Sequence, residues 1–347
     1  MIKFLIKLSI AVALVYWLFQ SGKIDFSILQ DSFVAHKSHW VIAFAITCMA
    51  LFLVAIRWKK ILEAKSSKKF NYFDILRLTW IGNLFNTVLP GAVSGDFVKL
   101  IYARKIDPNL SKTFLLTSVF MDRILGLFGL LFLMGIASII KYSELTAISP
   151  ALANLIHLNF MIFAGMLLFI LSLFLPQRFQ QSVFNLGNKI PFLGKQFNKT
   201  LAQFWIIGKN KKNVIFLILL SMFTQMMNNL IFWTLASPFF EYAANAPRSI
   251  TILDGLTFIP LGFVAVAIPI TPSGIGVGHL AFNTLFSYYG VTNGASLFNF
   301  FLMVTIIVNL MGVIPYLTHR RELSDAKKEM ENGALDDTSE LGSTQTG

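Results

Sequence analysis

The sequence predicts an all-α polytopic membrane protein, with six transmembrane helices plus two re-entrant helical hairpins in an inverted-topology repeat. Three observations carry this prediction. Of the 347 residues 55% are hydrophobic and only 13% charged, with a mean hydropathy of +0.67; a soluble globule needs more charge than that on its surface. Six apolar runs are close to the length of about 17 to 25 residues that a bilayer crossing requires. Two further segments, 89–96 and 269–279, set Pro, Gly and ionisable groups inside otherwise apolar sequence. Non-helical backbone is tolerated at membrane depth only where it is buried in protein or lines a polar cavity, so such segments point to a site.

The first run, 4–20, follows Lys3 and Lys7. It reads as an uncleaved first helix rather than a signal peptide, because Gln20-Ser21-Gly22-Lys23 lacks a small-residue cleavage pattern. Further crossings are expected at 39–56, 113–140, 158–176, 213–236 and 296–317. Basic clusters at Arg57 to Lys69, at Lys99 to Lys112, from Arg178 to Lys212 and at Arg320-Arg321 mark the cytoplasmic side, while 21–38, 141–157 and 237–251 are poorer in Lys and Arg. Both termini are then cytoplasmic. Residues 74–98 begin and end beside cytoplasmic clusters, so they form a hairpin that returns to its own face, with its tip at Leu89 to Gly95. Residues 252–290 return likewise to the opposite face. A Pro-kinked crossing helix is the competing reading of each.

The order helix, helix, hairpin, helix occurs twice, in halves of about 1–145 and 146–318, the second inverted relative to the first. The spacing agrees: Pro90 follows Ile56 by 34 residues, and Pro272 follows Ala236 by 36. Residues 1–318 thus form the membrane domain. Within it, 177–212 carries Lys189, Lys195, Lys199, Lys209, Lys211 and Lys212 among apolar residues and reads as a cytoplasmic interfacial segment on the anionic leaflet. The polar stretch 319–347 reads as a disordered tail.

The formal charge of +12 lies in clusters at the ends of apolar runs, which is a signature of topology rather than of nucleic-acid binding. One cysteine, Cys48, allows neither an intrachain disulfide nor a Cys-based metal site. No H-E-x-x-H, phosphate-binding P-loop or G-x-S-x-G occurs, so no metal, cofactor or catalytic residue is assigned. The G-x-G-x-G at 274–278 follows no strand and carries no dinucleotide site.

After each tip a short helix restarts, and its first N–H groups lack intrahelical partners. Phosphate is the ligand that suits this geometry. The substrate-binding candidates at the first tip are Pro90, Gly91, Gly95, Asp96 and Lys99; at the second they are Pro272, Gly274, Gly276, Gly278 and His279. The glycines either let a headgroup approach the backbone or permit tight hairpin packing. Asp96 and Lys99, three residues apart, share a helix face. Asp122 and Arg123 lie roughly 15 Å into the helix that starts near 113. Consecutive helical residues diverge by about 100°, so these two do not pair with each other. Arg123 is expected to pair with Asp96 or to hold a lipid phosphate, against the alternative of a purely structural ion pair. His279 is a candidate proton carrier, with a satisfied structural histidine as the favoured reading. Gln225, Asn228 and Asn229 either line the cavity or, as favoured, make interhelical hydrogen bonds. Arg57-Trp58 reads as an interfacial anchor.

At these residues the chain resembles the flippase-like family typified by the transmembrane domain of lysylphosphatidylglycerol synthase, over most of 4–317. The match rests on Arg57-Trp58, Asn86-x-x-Leu89-Pro90-Gly91-x-x-x-Gly95-Asp96-x-x-Lys99, Asp122-Arg123 with Gly126, and Pro272-Ser273-Gly274-Ile275-Gly276-Val277. The resemblance adds Asn86 to the candidate binding set and implies a protein of the bacterial inner membrane that moves lipids or lipid-linked molecules between leaflets. Its partners would be membrane lipids with anionic or phosphate-bearing headgroups. Lys99 stands where the family usually has Arg, and His279 where it has an acidic residue. The family's bifunctional synthases carry a large soluble aminoacyl-transfer domain, whereas only about 30 residues follow the membrane part here, so lysyl transfer is not expected. Two other readings stand beside translocation. One is a membrane enzyme or accessory factor acting on a phospholipid or polyprenyl-phosphate through Asp96, Asp122 and His279; the other is a scaffold that docks a separate lipid-modifying enzyme on 177–212.

Overall fold

A computed structural model describes residues 26–66, 68–88, 94–188, 194–244, 249–267 and 274–318. The expected first crossing at 4–20, the tip residues Pro90, Gly91 and Pro272, and the tail 319–347 lie outside the described residues. Among the described residues no strand forms, and the lone β-type contact pairs Tyr242 with Val291. The helices are α1 (Phe26–Ala35), α2 (Lys37–Leu62), α3 (Tyr72–Val88), α4 (Ser94–Ile106), α5 (Lys112–Ile140), α6 (Tyr142–Ile148) and α7 (Pro150–Ser172). They continue as α8 (Gln177–Asn188), α9 (Gly194–Gly208), α10 (Lys211–Ala236), α11 (Ile252–Ala267), α12 (Val277–Ser287), α13 (Gly294–Leu310) and α14 (Val313–Thr318). Among the described residues five stretches are long and apolar enough to cross a membrane: Lys37–Leu62, Lys112–Ile140, Pro150–Ser172, Lys211–Phe239 and Gly294–Thr318.

Side-chain caps fix where three of these begin. Ser111 Oγ accepts from the Phe114 N–H at 3.2 Å, Ser149 Oγ from Leu152 at 3.1 Å, and Asn210 Oδ1 from Asn213 at 3.1 Å. Each cap satisfies one of the donors that a helix start leaves open. The Ser149 cap, with Pro150 in the first turn, moves the start of the crossing expected at 158–176 back to Pro150. Hydropathy alone passes over that signal. The loops read at 21–38 and 141–157 contain α1 and α6. The last crossing breaks between α13 and α14, where a Cβ on Gly312 would lie 2.6 Å from the Trp80 carbonyl oxygen.

Two short helix pairs pack antiparallel. In the α3–α4 pair, a Cβ on Gly95 would lie 1.8 Å from the Gly82 carbonyl oxygen, so the backbones touch. In the α11–α12 pair the missing Gly262 side chain makes room for the Phe282 ring. That ring stacks on Phe232 (4.6 Å between centroids, 19°) and on Phe298 (5.0 Å, 15°). Lipid tails are as apolar as Leu, so close backbone approach and ring contacts of this kind, rather than expulsion of water, hold helices together in a bilayer. Two buried clusters result. One joins α11, α12 and α13 through Phe258, Phe282, Phe286, Phe298 and Phe300. The other surrounds the α3–α4 pair with Trp58, Ile75, Tyr102, Phe114 and Leu217. Helix α10 packs against α2, α5 and α13 and so touches both. Helix α9 turns Phe204 and Ile207 into the second cluster, and Trp205 Nε1 donates to the Ser172 carbonyl at 3.2 Å.

Candidate functional site

Five ionisable side chains from α2, α4 and α5 meet about a third of the way along α5, one of the helices long and apolar enough to cross a membrane. Asp122 lies ten residues after Lys112, about 15 Å along α5. The helical twist sends it and Arg123 to different neighbours. Asp122 Oδ1 accepts from Arg57 Nε at 2.6 Å. Arg123 Nε donates to Asp96 Oδ2 at 3.0 Å, and its Nη2 reaches the same oxygen. One turn along α4, Lys99 Nζ lies 3.3 Å from Asp96 Oδ1 and 5.8 Å from the centre of a Trp58 ring. Asp96 therefore sits between two cations and in the first turn of α4, where the helix dipole favours negative charge. Arg57 Nη1 also donates to Ser221 Oγ at 3.1 Å, and Gln225 Nε2 to the Gly126 carbonyl at 3.0 Å, which ties α10 into the network. The cluster holds three cations and two carboxylates, one positive charge in excess. The side chains of Asp96 and Lys99 are buried, whereas that of Arg123 is 41% exposed.

Arg57 and Trp58, read as an interfacial anchor, are instead buried at 5% and 2% exposure. Lys59 and Lys60 already supply the interface, both pairing with Glu63. Arg57 lies inboard of them and turns towards Asp122. The expected pairing of Arg123 with Asp96 is present, and so is the separation of Asp122 from Arg123. Gln225 makes the interhelical bond expected of it, while Asn228 and Asn229 bond back to Gln225 on the same helix.

Asn86 Oδ1 accepts from the Gly95 N–H at 2.8 Å and so takes one of the open donors of α4. In the α11–α12 pair, His279 Nδ1 accepts from the Gly276 N–H at 3.1 Å, and the Nε2 side of the ring meets Asn299 Oδ1 at 2.6 Å. A backbone N–H only donates, so Nδ1 carries no proton; Nε2 carries it and gives it to Asn299. The ring is neutral, 2% exposed, and packed edge-on against Phe298 at 5.0 Å. Gly274 and Gly276 adopt φ of +71° and +85°, in the left-handed region that glycine enters freely. Cβ atoms on Gly274 and Gly278 would lie 2.5 Å from Val266 and 2.4 Å from Phe298. Protein packing accounts for the missing side chains at Gly95, Gly274 and Gly278. The structure thus brings Asp96, Lys99, Asp122 and Arg123 together and builds the His279 group separately, on α12 and α13.

Two other polar features flank the cluster. A groove of about 360 Å³ opens at the base of the α3–α4 pair, beside Asp74, Arg77 and Lys105 and away from Asp96. At the far end of α5, Lys141 Nζ lies 3.0 Å from Oδ1 of the fully buried Asp254 in the first turn of α11. The other Asp254 oxygen accepts from Thr251 N at 2.9 Å and Oγ1 at 2.5 Å.

Comparison with known proteins agrees with this architecture. The chain is similar to the UPF0104 membrane protein PH1989 of Pyrococcus horikoshii, 23% identical over an alignment of 272 residues, with 72% of this chain and 77% of that protein covered. Residues 4–315 match the family described as the lysylphosphatidylglycerol synthase TM region. With nearly its whole length matched, this multi-pass membrane protein belongs to the lysylphosphatidylglycerol synthase TM region family.

Proposed function

We propose that this protein is a lipid translocase, which passes the headgroup of a phospholipid or lipid-linked molecule between leaflets at a site between two hairpin tips while the tails stay in the bilayer. The observation that carries this reading is the Asp96–Lys99–Arg123 group at the start of α4. Ionisable groups at membrane depth are costly and are kept where they serve a polar pathway. Here they stand at a helix N-terminus, whose open N–H groups suit phosphate. Family membership adds lipid as the cargo by analogy. The α3–α4 and α11–α12 pairs act in this reading as re-entrant hairpins from opposite faces, related by an inverted repeat, in a bacterial inner membrane with both termini cytoplasmic. Rocking of the two halves then alternates access to the site.

The test is reconstitution of purified protein in liposomes with acyl-labelled fluorescent lipids, read by the fraction that external dithionite bleaches. Protein-dependent movement of at least one headgroup is expected. Asp96→Asn, inserted and folded normally, is expected to abolish it, because the two cations then lose their shared carboxylate. An unchanged rate in that variant rules out the cluster as the site, and chemical change in the lipid instead of movement makes the protein an enzyme.

A further inference from the structure

We infer, resting on the translocase reading, that the transported headgroup is net anionic: a phosphate ester that carries no compensating ammonium. The two helix pairs carry few charges. Between Tyr72 and Ile106 the acidic and basic residues are Asp74, Arg77, Asp96, Lys99, Arg104 and Lys105; between Ile252 and Gly290 they are Asp254 and His279. Asp74, Arg77, Arg104 and Lys105 lie at the base of the first pair, away from its tip. At the tip, Asp96 faces both Lys99 and Arg123, so two cations share one carboxylate. Arg57 and Asp122 form a separate, self-neutral pair. Among the described residues the group at the first tip holds one more cation than carboxylate.

The second hairpin cannot supply a balancing carboxylate, and it offers nothing to an ammonium either. Asp254 is fully buried at the base of its hairpin and held by Lys141. His279 is fixed as the neutral tautomer, with one ring nitrogen accepting from Gly276 and the other donating to Asn299. No carboxylate remains at that tip for a lysyl or ethanolamine amine. Two cations that share one carboxylate at membrane depth cost free energy that an incoming anion relieves. The most exposed member of the group, the Arg123 side chain, is also the one whose forked guanidinium matches phosphate oxygens. A zwitterionic headgroup brings the phosphate but strands its ammonium beside two cations. A cationic aminoacyl ester does so with more charge. The chemistry at the two tips therefore selects by charge.

The full-length protein in phosphatidylcholine vesicles tests this with three acyl-labelled probes: phosphatidylglycerol, phosphatidylethanolamine and the lysyl ester of phosphatidylglycerol. Phosphatidylglycerol is expected to move faster than phosphatidylethanolamine by about tenfold or more, with the lysyl ester slowest. Arg123→Gln and Lys99→Gln each remove the surplus charge and are expected to bring the phosphatidylglycerol rate down to that of phosphatidylethanolamine. Equal or faster movement of the zwitterionic or cationic probe overturns the charge assignment and leaves translocation standing. Movement of none of the probes sinks translocation itself, and the charge assignment is then read from binding. In detergent, phosphatidylglycerol is expected to raise the melting temperature of the wild-type protein and phosphatidylethanolamine is not; equal stabilisation by both overturns the assignment. Inorganic phosphate and sulfate form a further arm. If they stabilise the protein as much as phosphatidylglycerol does, the site holds a small soluble anion and the lipid headgroup is the wrong ligand.

Discussion

Replacing Gly95 by Ala separates two accounts of the α3–α4 pair, one in which its glycines serve a ligand and one in which they serve packing. The added Cβ would stand 1.8 Å from the Gly82 carbonyl oxygen, 2.6 Å from its carbon and 3.0 Å from Asn86 Cγ. The first two atoms are backbone, so no rotamer change relieves the clash; α3 and α4 must part by more than an ångström. Parting them also stretches the Asn86–Gly95 hydrogen bond of 2.8 Å. Overpacking costs about 1 to 3 kcal/mol, and a backbone-on-backbone contact belongs at the top of that range. Gly165→Ala is the control, since Gly165 lies on an exposed face of α7 with nothing within 4 Å of the added atom. There the change to Ala stabilises by up to about 1 kcal/mol through helix propensity. The assay is unfolding in mixed micelles against increasing dodecyl sulfate, followed by the fluorescence of the chain's six tryptophans. The two variants are expected to shift the midpoint in opposite directions. Coincident midpoints refute the packing account and return Gly95 to the ligand.

Two further substitutions test the polar groups with the same assay. Arg57→Met leaves the Asp122 carboxylate without its partner and is expected to cost about 3 to 5 kcal/mol, while adding Asp122→Leu in the same chain recovers most of the loss; a single variant as stable as its double means that the pair contributes nothing. Asn299→Leu removes the acceptor of the His279 Nε2–H and is expected to cost about 1 to 3 kcal/mol; no loss means that some other group holds the ring.

The parts of this protein that hydropathy and charge determine were legible before any coordinate. The crossings at 113–140 and 213–236 fall within a few residues of α5 and α10, because long apolar helices are set by their own composition. The crossing beginning at Pro150 was misplaced because its start is fixed by the Ser149 cap, a single hydrogen bond without weight in a hydropathy sum. At the site, Arg123 with Asp96 was legible from helical geometry alone. Arg57 was not, because an arginine near a helix end looks the same in sequence whether it snorkels or turns inward; Asp122, 65 residues away, decides. The role of Gly95 was likewise undetermined, since nothing in its neighbours along the chain announces Gly82 across the hairpin.

One consequence follows from the reach of α5. Its Arg123 holds the first turn of α4, and Lys141, which caps its far end, holds the first turn of α11. The two grips are about 27 Å apart along a continuous helix. The helix pairs are thus linked through α5, in addition to the bonds that α13 makes to α3 and to His279 of α12. If both ion pairs hold, a displacement of one pair along the membrane normal is passed to the other with little lag. If the two pairs move independently, one of those ion pairs must open, and Lys141, bonded to Thr251 and Asp254 at once, is the harder grip to release.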